Sequence, residues 1–99
     1  MLDTHDKSAF ESALGSVFRM DGDGLDAADI RLVACDSKLD TPQQACFSLL
    51  FNAPADTAPV QGVRRLRHPE LGEMEIFLVP IKKTETELVF EAVFNRLRG

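Results

Sequence analysis

The chain lacks tryptophan and tyrosine, contains only two cysteines in 99 residues, and has no long apolar run. Two cysteines are too few for a disulfide framework, and their spacing does not match a zinc-binding pattern. A membrane-spanning helix needs roughly 18 consecutive apolar residues, which the sequence does not offer. The first residues carry neither a basic nor an apolar segment, so we expect no secretory signal and a cytoplasmic location. Export without a cleaved signal would be compatible with the same sequence.

The composition is that of a folded, acidic domain. Hydrophobic residues make up 44% and charged residues 27%, with a formal net charge of −5 and a pI near 4.9. A chain of this length forms one hydrophobic core, so we expect a single domain over residues 1–99. An acidic surface gains nothing by meeting nucleic acid or an anionic membrane, and neither is an expected partner.

The motifs of common enzymes and metal sites are absent as well. His5 and His68 are far apart, and no serine has an evident base partner or lies in a nucleophile-elbow motif. Residues 21–26 begin like a calcium loop, but Leu25 stands where that loop needs an oxygen ligand. This stretch is expected to be a solvated turn, with a weak cation site as the alternative. We therefore expect no enzyme activity, no metal and no cofactor.

A short amphipathic helix is predicted over residues 4–14. Ser8 and Glu11 have the spacing of a capping box, and Gly15 is suited to end the helix. The apolar stripe of this helix consists of Phe10, Ala13 and Leu14.

Strand patterns separated by turn residues fill the rest of the chain, with no helix between them. Parallel strands would need long crossover segments, so this order favours an antiparallel sheet. We predict a mainly β fold in which a six-stranded meander follows the helix and closes as a small barrel or a sandwich. The predicted strands are residues 16–20, 29–35, 45–51, 61–67, 73–81 and 86–95.

The two cysteines lie in the second and third predicted strands, on either side of a long polar loop at residues 36–44. If Ala34 opposes Phe47, then Cys35 opposes Cys46 on the other face of the pair. Directly opposed cysteines come within disulfide reach, although two free half-buried thiols are the favoured interpretation.

A second hairpin joins strands 61–67 and 73–81. Its five-residue connection predicts that Arg67 faces Glu73, that Arg65 faces Glu75, and that exposed ion pairs form between them. The compact basic run of Arg64, Arg65 and Arg67 is also a candidate nucleic-acid patch. Aromatic residues for base stacking are missing from it, which favours the structural interpretation.

The more apolar face of each strand predicts the core. Its members are Ile30, Leu32, Phe47, Leu49, Phe51, Ile76, Leu78, Leu88, Phe90 and Phe94. The opposite face of the last two strands is also unusually apolar, since it carries Phe77, Val79, Ile81, Val89 and Val93, interrupted by Glu91 and Asn95. Either the apolar stripe of the helix or another protein is expected to cover this second face.

Several stretches in a fixed order resemble a small bacterial family of domains of unknown function. They are Cys46-Phe-Ser-Leu-Leu-Phe51, Gln61-Gly62, His68-Pro-Glu-Leu-Gly72, Ile76-Phe-Leu-Val-Pro80 and Phe90-Glu-Ala-Val-Phe-Asn-Arg96. The resemblance covers roughly residues 10–96. It implies a family without an assigned activity, whose members are often encoded beside proteins resembling phage tail collar or tail-fibre components.

These observations favour a non-catalytic protein-interaction or assembly module that self-associates or binds another protein. The resemblance adds an accessory role in a phage-tail-like system. The alternatives are a domain that binds a small ligand or nucleic acid and, less favoured, an enzyme with an unrecognised carboxylate site.

Overall fold

The computed structural model describes residues 7–21 and 27–97, apart from the side chains of residues 38–40, 45 and 96–97. Within these ranges the elements are α1 (Lys7–Ser12), β1 (Val17–Met20), β2 (Ala28–Asp40), β3 (Gln44–Pro54), β4 (Gly62–His68), β5 (Gly72–Lys83) and β6 (Glu87–Leu97). Residues 4–6 of the predicted helix, and His5 with them, lie outside the described residues. Gly15, with a φ of 85°, follows the turn after α1 and leads the chain into β1, a conformation that glycine adopts without strain.

The six strands close into an antiparallel barrel with the order β1-β2-β3-β6-β5-β4. The expectation of a mainly β fold with a short helix and a closed antiparallel sheet is confirmed, and the closed form is a barrel. The connectivity is not a simple meander, because β3 pairs with β6 and β4 pairs with β1. Both β3 and β6 are 11 residues long and pair along their whole length, whereas β4 has only 7 residues. Two three-stranded units therefore join edge to edge, which leaves fewer unpaired strand edges.

The connection between β2 and β3 is shorter than predicted. Most of the polar segment 36–44 continues these strands, and only residues 41–43 separate them. Thr41 closes the turn, since its hydroxyl accepts a hydrogen bond from the Gln44 amide at 3.0 Å while its own amide donates to the Gln44 carbonyl at 2.8 Å. Polar side chains are compatible with strand structure where one face is open to water.

This tight turn and two bulges give β2 and β3 a register that separates the cysteines. Cys35 lies opposite Leu49, and Cys46 lies opposite Leu39. The conditional opposition of Cys35 and Cys46 is therefore wrong, whereas the favoured interpretation of two free, half-buried thiols is confirmed. The long loop assumed from the sequence left the register open, whereas the observed turn determines it.

The predicted core is confirmed at nine of its ten positions, all of which are buried. Phe94 is the exception and is half-buried at the margin of the core. Its ring stacks on that of Phe47 with centroids 4.9 Å apart and an interplanar angle of 6°. Further buried side chains complete the core, notably Phe10, Phe18, Met20, Leu66, Met74 and Ala92.

Helix α1 adds to this core and does not cover the outer face of β5. Phe10 is fully buried, with its ring centroid 5.4 Å from that of Phe94 and 6.2 Å from that of Phe47. Phe77 and Ile81 on the outer face of the barrel remain 50% exposed. The expectation that the helix covers this second apolar face is therefore wrong, because its largest side chain packs among the inward-facing rings.

Candidate functional site

An apolar surface lies on the outside of the barrel over β4, β5 and β6. We call it the outer patch, and its members are Val63, Phe77, Val79, Ile81, Val89 and Val93. Val63 and Val93 are each 61% exposed, Phe77 and Ile81 are each 50% exposed, and the other two side chains are half-buried. Single exposed apolar residues are ordinary on a protein surface, whereas several on neighbouring strands are typical of a contact site.

Strand alternation and one bulge determine the layout of the outer patch. Phe77 lies directly opposite Val63 in the pairing of β4 with β5, and both point outward. Further along β5 the register shifts between Pro80 and Lys82, so that Ile81 is the additional residue of a bulge. Strand alternation places Val79 and Ile81 next to each other on the outer surface of β5, and the bulge brings Lys82 to the same surface.

Charged side chains flank the apolar row of β5 at both ends. Glu75 precedes Phe77 by two residues and is exposed, and Lys82, which follows Ile81, is also exposed. Neither charge has a salt-bridge partner among the described residues. In β5 the outer face is thus acidic before the apolar segment and basic after it.

Two of the three arginines of the basic run lie outside the barrel and are neutralised there. Arg67 is 2.9 Å from the Asp21 carboxylate and 3.6 Å from Glu73. Arg65 is 3.3 Å from Glu73. The predicted register of this hairpin is confirmed, with Arg67 opposite Glu73 and Arg65 opposite Glu75. The pairing of Arg65 is diagonal, however, and this leaves Glu75 free.

The third arginine, Arg64, points into the barrel and is only 5% exposed. Its Nη2 donates to the carbonyl oxygen of Asp21 at 3.2 Å, while Nε and Nη1 are buried without a hydrogen-bond partner among the described residues. The three arginines of the predicted basic patch therefore do not share one surface, because consecutive residues of a strand point to opposite faces. An unpaired buried charge of this kind is costly for stability.

A serine and a histidine that are distant in sequence meet at one end of the barrel. His68 is buried, and its Nε2 lies 2.9 Å from Oγ of Ser16. Its Nδ1 accepts hydrogen bonds from the amides of Glu70 at 3.1 Å and Leu71 at 3.2 Å. No motif in the sequence indicates a base partner for a serine, and this pair escapes a motif search because its members are 52 positions apart.

These hydrogen bonds assign the protons of the pair. Because Nδ1 of His68 accepts two amide protons, the neutral ring carries its proton on Nε2 and donates it to Ser16. The Ser16 hydroxyl in turn donates to the carbonyl oxygen of Ala13. A serine nucleophile would need the reverse arrangement, with an unprotonated imidazole nitrogen facing the hydroxyl. The geometry therefore fits a structural role, in which the hydrogen bonds of His68 stabilise the turn between β4 and β5.

The remaining candidate residues do not assemble a site within the part of the chain that the structure describes. No cluster of three or more potential metal ligands occurs there. The acidic stretch after Asp21 lies outside the described residues. Burial raises the pKa of the Cys35 thiol, which disfavours the reactive thiolate. The described part of the chain also contains no helix that is long and apolar enough to cross a membrane.

Five members of the outer patch were candidates from sequence, and the structure brings Phe77, Val79 and Ile81 together on β5. Val63 was missed, although the confirmed hairpin register places it opposite Phe77. Val89 lies beside Lys82, and Val93 lies opposite Ser48 of β3. Alternation along β4 could have identified Val63, because every second residue points outward, from Arg67 through Arg65 to Val63.

The fold and this surface define a small closed antiparallel β-barrel with an apolar patch on its outer wall. Residues 5–94 match the model of a family described as a domain of unknown function, DUF6916. The match covers most of the chain, which therefore belongs to this family, and the resemblance to a family of unknown function is confirmed. No curated protein and no solved structure matches the chain.

Proposed function

We propose that the protein is a non-catalytic interaction module that binds a protein surface through the outer patch. The supporting observation is the exposure of Phe77 at 50% beside Val63 at 61% on neighbouring strands. Large apolar side chains that lie together on a soluble domain favour association, because burying them removes apolar area from water. A phage-tail-like assembly as the setting of this interaction rests on the family resemblance alone.

The alternative roles receive less support from the described residues. Arg65 and Arg67 are already paired with carboxylates, so they offer little net positive charge to a phosphate backbone. The cavity beside Ser16 and His68 has a volume of about 60 Å³. Typical sites for small molecules have volumes of roughly 300–1,000 Å³. A second pocket, beside Asp29, Asn52 and Glu87, has a volume of about 310 Å³. This volume is at the lower end of that range, but the pocket is largely open to solvent, whereas ligand sites bury most of the surface of the ligand.

The test compares Phe77→Glu with Val33→Glu. Val33 is 42% exposed on β2, which is three strands from β5 in either direction around the barrel. Both variants place a carboxylate on the outer surface, and circular dichroism verifies that they fold. We expect the protein and Val33→Glu to associate, either with themselves or with the same partner, and Phe77→Glu to lose that association.

Self-association is measured by sedimentation over a range of concentrations, and a partner is identified by affinity capture and mass spectrometry. Equal behaviour of the two variants in both measurements would contradict the proposal. A protein that is monomeric at every concentration and captures no partner would contradict it as well.

A further inference from the structure

The outer face of β5 has an order of charges that is self-complementary. From Glu75, its outward positions continue through Phe77, Val79 and Ile81 to Lys82. We propose that the outer patch binds a second copy of this chain, with the β5 strands of the two barrels face to face and antiparallel. This inference rests on the proposed function and identifies the partner.

The bulge at Ile81 makes the spacing of this row even. Val79 lies opposite Glu91 and Lys82 lies opposite Val89. Val79 and Lys82 are therefore three positions apart along β5, whereas their partners are two positions apart along β6. Each of Glu75, Phe77, Val79 and Lys82 is then about 6.8 Å from the next one along β5. Without the bulge, the lysine would point to the opposite face of the sheet.

Glu75, Phe77, Val79 and Lys82 are evenly spaced, with Ile81 in the bulge beside Lys82. Their order of acidic, apolar, apolar and basic side chains matches its own reverse. A two-fold axis in the interface, perpendicular to β5 and passing between Phe77 and Val79, places Phe77 over Val79 of the second copy. The same axis places Glu75 over Lys82 of the second copy. Each dimer then has two apolar contacts and two ion pairs along this row, as expected for an isologous interface.

The charges also exclude the parallel orientation. With parallel strands, Glu75 would lie over Glu75 of the second copy and Lys82 over its counterpart, and both contacts would be repulsive. Neither charge is neutralised within its own chain among the described residues, because the diagonal pairing of Arg65 with Glu73 leaves Glu75 available.

The contact is small, since the apolar part of β5 is supplemented only by Val63 and by the valines of β6. Glu91, directly opposite Val79, interrupts these valines. Interfaces below the standard size are typically weak and transient, and we expect a Kd of roughly 10 µM or weaker. Association should therefore be visible only at high protein concentration.

The test exchanges the charges of the row and measures association by sedimentation equilibrium. We expect Glu75→Lys and Lys82→Glu each to weaken self-association at least tenfold, because each variant brings like charges together. An equimolar mixture of the two variants should form a heterodimer, since both inter-chain contacts then pair opposite charges. The double variant should dimerise as the unmodified protein does.

Asp36→Lys is the matched control for Glu75→Lys. Asp36 is an exposed carboxylate on β2, and its reversal changes the net charge by the same amount. This variant should dimerise normally, and a loss of association equal to that of Glu75→Lys would overturn the inference. Restored dimerisation in the mixture also demonstrates that both single variants are folded.

The possible results separate this inference from the proposed function. A monomeric protein that captures another partner, and loses it on Phe77→Glu, overturns the second copy as the partner but supports the proposed function. If Phe77→Glu disrupts the dimer and the charge reversals do not, only the antiparallel arrangement is overturned. A dimer unaffected by Phe77→Glu overturns both.

Discussion

The guanidinium of Arg65 pairs with Glu73 at 3.3 Å, although Glu75 is the residue directly opposite it in the hairpin. Glu73 also lies 3.6 Å from Arg67, so that one carboxylate serves two arginines. The outer surface of β4 and β5 therefore contains a small ion-pair network and one unpaired carboxylate. This asymmetry leads to the first prediction.

Glu73→Gln should lower the free energy of unfolding by about 0.5–1 kcal/mol, because it removes two half-exposed ion pairs that are each worth little in water. Glu75→Gln should change it by no more than about 0.3 kcal/mol, since Glu75 has no salt-bridge partner among the described residues. Urea denaturation of the two variants measures the difference. Equal losses would contradict the diagonal pairing.

Phe90 and Phe94 are predicted to differ in their contributions to stability. Phe90 is fully buried, so Phe90→Ala should cost about 3–5 kcal/mol of unfolding free energy. Phe94 is half-buried, and Phe94→Ala should cost only about 1–3 kcal/mol. Thermal or denaturant unfolding gives both values. A larger loss for Phe94→Ala than for Phe90→Ala would show that the core is centred elsewhere.

Contacts between residues close in sequence are predictable from this chain, and contacts between distant residues are not. The register of Arg67 with Glu73 is predictable because the connection between β4 and β5 is short and the charged residues of both strands alternate with apolar ones. The pairing of β3 with β6 was not predictable, because it joins strands that are not consecutive in sequence. This pairing forms only when the barrel closes. Cys35 was misplaced because bulges in β2 shift the register.

The outer patch shows the same division between local and non-local information. Alternation within β5 and β6 identified its apolar members, and this information is local. Whether the helix covers Phe77 depended on where Phe10 packs. That position is determined by the rings of Phe47 and Phe94, which are more than 35 residues away in sequence. The unpaired Glu75 likewise emerged only from the side-chain geometry of the hairpin.

Arg64→Met should raise the free energy of unfolding by about 1–3 kcal/mol. The substitution removes a buried charge whose Nε and Nη1 have no hydrogen-bond partner, while an unbranched apolar side chain of similar length fills the space. It gives up only the hydrogen bond from Nη2 to the Asp21 carbonyl. Arg64→Lys is the control and should not stabilise the protein, because it keeps the charge in the same place. A loss of stability in Arg64→Met would mean that the guanidinium has a strong partner in the folded protein.

His68→Phe should loosen the turn between β4 and β5 without removing the ring packing at this position. The ring of His68 lies 4.6 Å from that of Phe18, and a phenyl ring can retain this contact. It cannot accept the amide protons of Glu70 and Leu71, which now donate to Nδ1. We expect these two amides to exchange with deuterium at least tenfold faster in the variant, and the free energy of unfolding to fall by about 1–2 kcal/mol.

Ser16→Ala distinguishes the contributions of the two ring nitrogens of His68, because it removes the partner of Nε2 and leaves Nδ1 in place. It should lower stability to a similar degree while the amides of Glu70 and Leu71 keep their protection. Unchanged exchange of both amides in His68→Phe would show that Nδ1 of His68 does not hold the turn.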